Sequence, residues 1–131
     1  MCKTILIVDD EEPILFAMQE YFKDLGYNVD CARDKPQAEF YLATREYAMV
    51  IADLRLSGVA DEEGLEIVAR ARGSSPSTRT MVLTAYGSPE IEARAMSLGA
   101  DAFLHKPQPL PNVAELVAKL LRGKNHEPGT A

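Results

Sequence analysis

Asp9 and Asp10 stand side by side at the end of the apolar run "TILIV", and Glu11 and Glu12 follow them. Adjacent carboxylates repel each other and cost stability unless a positive charge sits among them. Three more residues stand at comparable places: Asp53 after "AMVIA", Thr84 at the end of "TMVLT", and Lys106 after "AFLH". Three carboxylates with one ammonium make a cation site. Carboxylate oxygens are hard ligands, and Mg2+ commonly takes one or two of them and keeps several waters. Such an ion would relieve the repulsion and leave positions open for a phosphoryl group. The Thr84 hydroxyl and the Lys106 ammonium would hold phosphoryl oxygens. Asp53 is then the carboxylate left to act as nucleophile, forming an acyl phosphate.

Taken singly, each residue has an ordinary alternative. An Asp pair at a strand–helix junction caps the helix. Asp53 is a loop residue, Thr84 a turn former before "AYGSP", and Lys106 a solvated surface lysine. The chemical reading rests on the conjunction, because these residues come from four separate strand ends.

The elements that must position them follow from patterning. "TILIV" (4–8), "NVDCA" (28–32), "AMVIA" (48–52), "TMVLT" (80–84) and "AFLH" (102–105) read as strands. Their near-continuous apolarity suits strands covered on both faces. Between them, apolar residues recur at helical spacing in 12–25, 34–45, 63–72, 88–98 and 111–122. Pro13, Pro36 and Pro89 fall in first turns, Ser88 is an N-cap, and Gly26, Gly73, Gly99 and Gly123 mark stops. This is a strand–helix unit five times over, which implies a parallel sheet with helices on both faces. Ligands of such sheets bind beyond the carboxyl ends of the strands, where the polar residues fall.

Composition bounds the rest. The 131 residues suit one domain, and a net charge of -6 argues against general affinity for nucleic acid or anionic membranes. Cys2 and Cys31 are far apart and form no metal or disulfide framework, which fits a reduced, cytoplasmic setting. No run approaches the length that spans a bilayer, and "MCKTILIVDDEE" does not read as a signal peptide.

"ILIVDDEE", "VIADLRL", "VLTAYGS" and "GADAFLHKPQP" resemble the receiver domain of two-component response regulators, over roughly residues 3–122. The Asp–Asp, Asp, Thr and Lys-Pro landmarks follow at intervals of 44, 31 and 22 residues. The resemblance implies an α/β fold with strand order 2-1-3-4-5. It implies that Asp53 accepts a phosphoryl group from the phosphohistidine of a histidine kinase or a phosphotransfer protein. Asp10, Asp53 and the backbone carbonyl of Arg55 would bind Mg2+, with Asp9 assisting. Thr84 resembles the switch hydroxyl, Phe103 stands where the family has its switch aromatic, and Lys106 would contact the phosphoryl oxygens. The Lys106–Pro107 peptide is expected to be cis. The readout expected is the face of the fourth helix, fifth strand and fifth helix, about 88–121, shifted between two packings to control a partner, an output domain or a homodimer. "QPLP" (108–111) is expected on that face. The chain would catalyse only its own phosphorylation and dephosphorylation.

The chain also departs from the family pattern. Leu56 and Ser57 replace the usual Met-Pro pair, and Gly64 lies eleven residues past Asp53 rather than about eight, so "SGVADEEG" reads as a lengthened loop. Its acids Asp61, Glu62 and Glu63 suit a helix N-terminus; the sharper alternative is that the loop shapes kinase docking or access to the acyl phosphate. Arg55 and Tyr86 are bulky at positions flanking the hydrolytic water's path, which suggests slow dephosphorylation. Phe103 has no hydroxyl, so switching through it would rest on packing.

Rival functions fit less well. An aspartyl-phosphate phosphatase would want a second Asp two residues after the nucleophile, where Arg55 stands and cannot donate a proton. A flavodoxin-like cofactor site would want a phosphate loop where four acids stand. A pseudo-receiver that only binds partners would not need all the pocket residues. Residues 1–122 therefore read as the domain and 123–131 as a tail or linker start, with no nucleic-acid or membrane binding expected of this domain.

Overall fold

The computed structural model describes residues 3–54, 56 and 62–123. Five strands alternate with five helices: β1 Thr4–Val8, α1 Glu12–Asp24, β2 Asn28–Ala32, α2 Lys35–Thr44, β3 Met49–Ala52, α3 Glu62–Ser74, β4 Arg79–Thr84, α4 Pro89–Ser97, β5 Ala102–His105 and α5 Leu110–Gly123. The strands form one parallel sheet in the order β2-β1-β3-β4-β5. Fold class and strand order are those expected.

Alternate residues of each central strand serve opposite faces, as the two-residue period requires. Ile5, Ile7, Met49, Ile51, Met81 and Leu83 pack with Leu15, Met18 and Phe22 of α1 and with Val113, Val117 and Leu121 of α5. Leu6, Val8, Val50 and Ala52 pack on the other face with Ala38 and Leu42 of α2 and Ile67 and Ala71 of α3. A third cluster carries that face toward α4, joining Val82 to Leu54, Leu65, Val68 and Ala95, with Ile91 and Phe103 against it. β1, β3 and β4 are buried along nearly their whole length, whereas β2 and β5, at the sheet edges, are only half-buried. The expectation of cover on both faces thus holds for the three central strands.

The helix starts follow their capping residues. The Asp34 side chain accepts from the Gln37 N–H at 2.9 Å and the Ser88 hydroxyl from the Ile91 N–H at 3.2 Å, each with a proline in the first turn. Two expected stops are corrected: α3 runs through Gly73 to Ser74, and α5 includes Gly123. A helix tolerates glycine in its last turn, where one less favourable residue costs little. At the start of α5, Gln108 and Leu110, with Pro107, line a cleft with Ile14, Ala17 and Met18 of α1.

Candidate functional site

The carboxyl ends of β1, β3, β4 and β5 converge, and the parallel register sets their depth. The Asp53 N–H continues the ladder to the Val8 carbonyl at 2.9 Å, and the Asp9 N–H does so to Ala32 at 3.1 Å. Asp9 and Asp53 are therefore the first residues past neighbouring strands, and both are almost fully buried. Asp10, one residue further, is exposed. One carboxylate oxygen from each of Asp9, Asp10 and Asp53 lies within 4.8 Å of the others. An all-oxygen set this tight is the donor chemistry of a small hard divalent cation.

Lys106 reaches across this group. Its ammonium donates to Asp9 Oδ2 at 2.8 Å, to Asp53 Oδ2 at 3.0 Å and to Glu11 Oε1 at 3.3 Å. Burial alone would push its pKa down, but the hydrogen bonds and charges of Asp9 and Asp53 outweigh that and hold it above the usual lysine value. Burial pushes the Asp9 carboxyl up, and the bonds from Lys106 and from the Glu11 N–H only partly offset this. The second oxygen of Asp9 accepts that Glu11 N–H at 2.9 Å, and the second oxygen of Asp53 accepts the Leu54 N–H at 2.6 Å. Each buried carboxylate is thus oriented by one backbone donor and one shared ammonium. Asp53 keeps an anionic oxygen beside a cation, which suits a nucleophile whose product must also be held.

Thr84 is fully buried at the end of β4. Its hydroxyl accepts from the Tyr86 N–H at 3.1 Å, and its carbonyl accepts from the Lys106 N–H at 2.8 Å. In the β4–β5 register Val82 pairs with Phe103 and Thr84 with His105. Phe103 is therefore two register positions below Thr84, on the same face of the sheet. The Phe103 ring is half-buried and meets the His105 ring at 5.4 Å between centroids. The Lys106–Pro107 peptide is cis.

All the expected side chains that fall on described residues, Asp9, Asp10, Asp53, Thr84 and Lys106, meet at one sheet edge, with Phe103 adjoining. Arg55 and most of the lengthened loop lie outside the described residues. Sequence reasoning passed over two contributors. Glu11 was read only as another acid, although as the second residue after Asp9 it lies within a lysine's reach of the pocket. Gly64 was read as a displaced landmark. Its N–H donates to the Leu54 carbonyl at 3.0 Å, and a Cβ there would sit 2.5 Å from Leu54 Cα and against the Asp53 carbonyl oxygen. The glycine lets α3 press directly on the backbone that carries Asp53.

Comparison with known proteins gives the family. The response regulator receiver domain family matches residues 5–120. The alginate biosynthesis transcriptional regulatory protein AlgB of Pseudomonas aeruginosa is 36% identical over 103 residues, covering 79% of this chain and 22% of that protein. The transcriptional regulatory protein PhoP of Escherichia coli K12 is 31% identical over 118 residues, covering 90% of this chain and 52% of that one. The chain thus spans about half or less of the length of these curated relatives. The crystal structure of a CheY-like receiver domain protein from Methanospirillum hungatei superposes with a TM-score of 0.90 at 25% identity, covering 98% of this chain and all of that one. A family match over residues 5–120, nearly the whole fold, makes this chain a member of the response regulator receiver domains, the phosphoacceptor switches of two-component signalling.

Proposed function

We propose that Asp53 is the phosphoacceptor of this receiver and that Asp9, Asp10, Thr84 and Lys106 complete its site. The observation that carries the reading is the Lys106 ammonium bridging Asp9 and Asp53, at 2.8 and 3.0 Å. A carboxylate oxygen of Asp53 attacks phosphorus in line, the oxygen–phosphorus bond forms, and the bond to the donor's leaving group breaks; for a phosphohistidine donor the imidazole departs and takes a proton. Lys106 then gives up a carboxylate contact for a phosphoryl oxygen, and the Thr84 hydroxyl turns to donate to another. The Leu54 N–H keeps the Asp53 carboxyl in the same orientation throughout. The acid cluster of Asp9, Asp10 and Asp53 fits Mg2+; the Arg55 carbonyl, outside the described residues, would be the further ligand that the family resemblance implies. When bound, Mg2+ supplies charge neutralisation for the acids and the incoming phosphoryl oxygens.

The conformational signal follows from the shared face of Thr84 and Phe103. Drawing Thr84 toward a phosphoryl group frees volume that the Phe103 ring enters, and the α4–β5–α5 face shifts between two packings. That face controls a partner, an output domain or a homodimer. The donor is a histidine kinase or phosphotransfer protein, and the chain's own catalysis is confined to gaining and losing its phosphoryl group. We assign residues 1–122 to the receiver and 123–131 to a tail or linker start. No described helix is long and apolar enough to cross a membrane; we place the protein in the cytoplasm.

The test is incubation with acetyl phosphate and Mg2+, read by intact mass beside Asp53→Ala. The wild type gains one phosphoryl group, the variant gains none, and EDTA abolishes the gain. Equal phosphorylation of the variant would overturn the assignment.

A further inference from the structure

Glu11 stands at the N-cap of α1, with φ -90° and ψ 106°, yet its side chain makes no capping hydrogen bond. Its carboxylate instead accepts a hydrogen bond from the Lys106 ammonium at 3.3 Å, while its backbone N–H orients Asp9 at 2.9 Å. An ammonium has three protons, and here three carboxylates, Asp9, Glu11 and Asp53, receive them. The three differ in position. The side chains of Asp9 and Asp53 are each 4% exposed, whereas that of Glu11 is 59% exposed. Glu11 is the partner at the mouth.

We infer that Glu11 is a positioning and donor-selectivity residue: it anchors the Lys106 ammonium from the solvent side and sets a negative charge where a free phosphodonor must enter. This rests on the pocket reading above. When a phosphoryl group arrives, Lys106 must give up a carboxylate for a phosphoryl oxygen, and the longest, most exposed bond yields first. Until it yields, it draws the ammonium outward and competes for it. Its charge also opposes an approaching anion, more strongly for a dianion than for a monoanion, and salt screens this opposition. Small, highly charged donors are therefore disfavoured relative to less charged ones.

The experiment uses the full chain at saturating Mg2+ and two donors, acetyl phosphate, largely dianionic at neutral pH, and phosphoramidate, largely monoanionic. Phosphorylation rates are read by intact mass for wild type, Glu11→Gln and Glu11→Asp, at low and high salt. Glu11→Gln should react about threefold faster with acetyl phosphate at low salt, as expected of one charge removed at the pocket mouth. The gain should be smaller with phosphoramidate and shrink as salt rises, and Glu11→Asp should return toward wild type. A Glu11→Gln rate equal to or below wild type with both donors would overturn the inference while leaving the phosphoacceptor reading intact. A gain equal for both donors and indifferent to salt would overturn the selectivity. A wild type that no donor phosphorylates would overturn the pocket reading and this inference with it.

Discussion

Replacing Lys106 by Met keeps most of the stem and removes the ammonium from two carboxylates whose side chains are each only 4% exposed. Removing one partner of a buried ion pair costs about 3–5 kcal/mol, because a buried charge is left uncompensated. Asp10 and Glu11 at the pocket mouth are exposed to solvent, so we expect the lower end, about 3 kcal/mol at pH 7, or a drop of roughly 2 M in the urea midpoint. The pH dependence carries the sign. Burial already raises Asp9 above 3.8, and Lys106 is the largest influence lowering it. Without Lys106 the folded-state pKa rises further. A carboxyl whose folded pKa exceeds its unfolded value binds more protons when folded, so it stabilises below the unfolded pKa and that stability is lost as pH rises through the folded pKa. The deficit of the variant should therefore be small near pH 4 and widen toward pH 7. Mg2+ should narrow it by supplying the missing positive charge. The assay is urea unfolding across pH, with and without Mg2+. A deficit below about 1 kcal/mol, flat over that range, would refute the claim that this lysine is the counter-charge of the acid cluster.

Other outcomes follow from single contacts. Gly64→Ala should cost about 3 kcal/mol and slow phosphorylation, because the added methyl meets the backbone of Asp53 and Leu54 rather than a yielding side chain; thermal denaturation and phosphorylation rate check this together. Thr84→Ala should still take up a phosphoryl group but lose the accompanying change in the Phe103 ring resonances, read by NMR before and after phosphorylation. Gly87→Ala should displace the Phe103 and His105 rings, whose edges would lie 2.8 and 2.6 Å from the new carbon, at a smaller cost of about 1 kcal/mol since side chains can give way. Its unphosphorylated spectrum should differ from wild type at both rings.

The fold was legible because the central strands are buried on both faces, so their apolar runs are uninterrupted, and because Ser88 and the first-turn prolines mark helix starts locally. The convergence of Asp9, Asp53, Thr84 and Lys106 was legible for a topological reason: in a parallel sheet every carboxyl end lies on one edge. What escaped depends on distances between segments that spacing does not encode. Nothing local in Gly64 says that its neighbour is the Asp53 backbone, and nothing in Glu11 says that its carboxylate forgoes the helix end for a lysine 95 residues away.

The most direct test of the central claim is to locate the phosphoryl group itself. After phosphorylation in Mg2+, borohydride reduction converts an acyl phosphate to the corresponding alcohol, and peptide mass mapping identifies the residue. Conversion at Asp53 alone, in the segment that follows β3, is the predicted result. Conversion at Asp9 or Asp10, or a phosphoryl group that survives on Ser or Thr with Asp53 intact, would contradict the account.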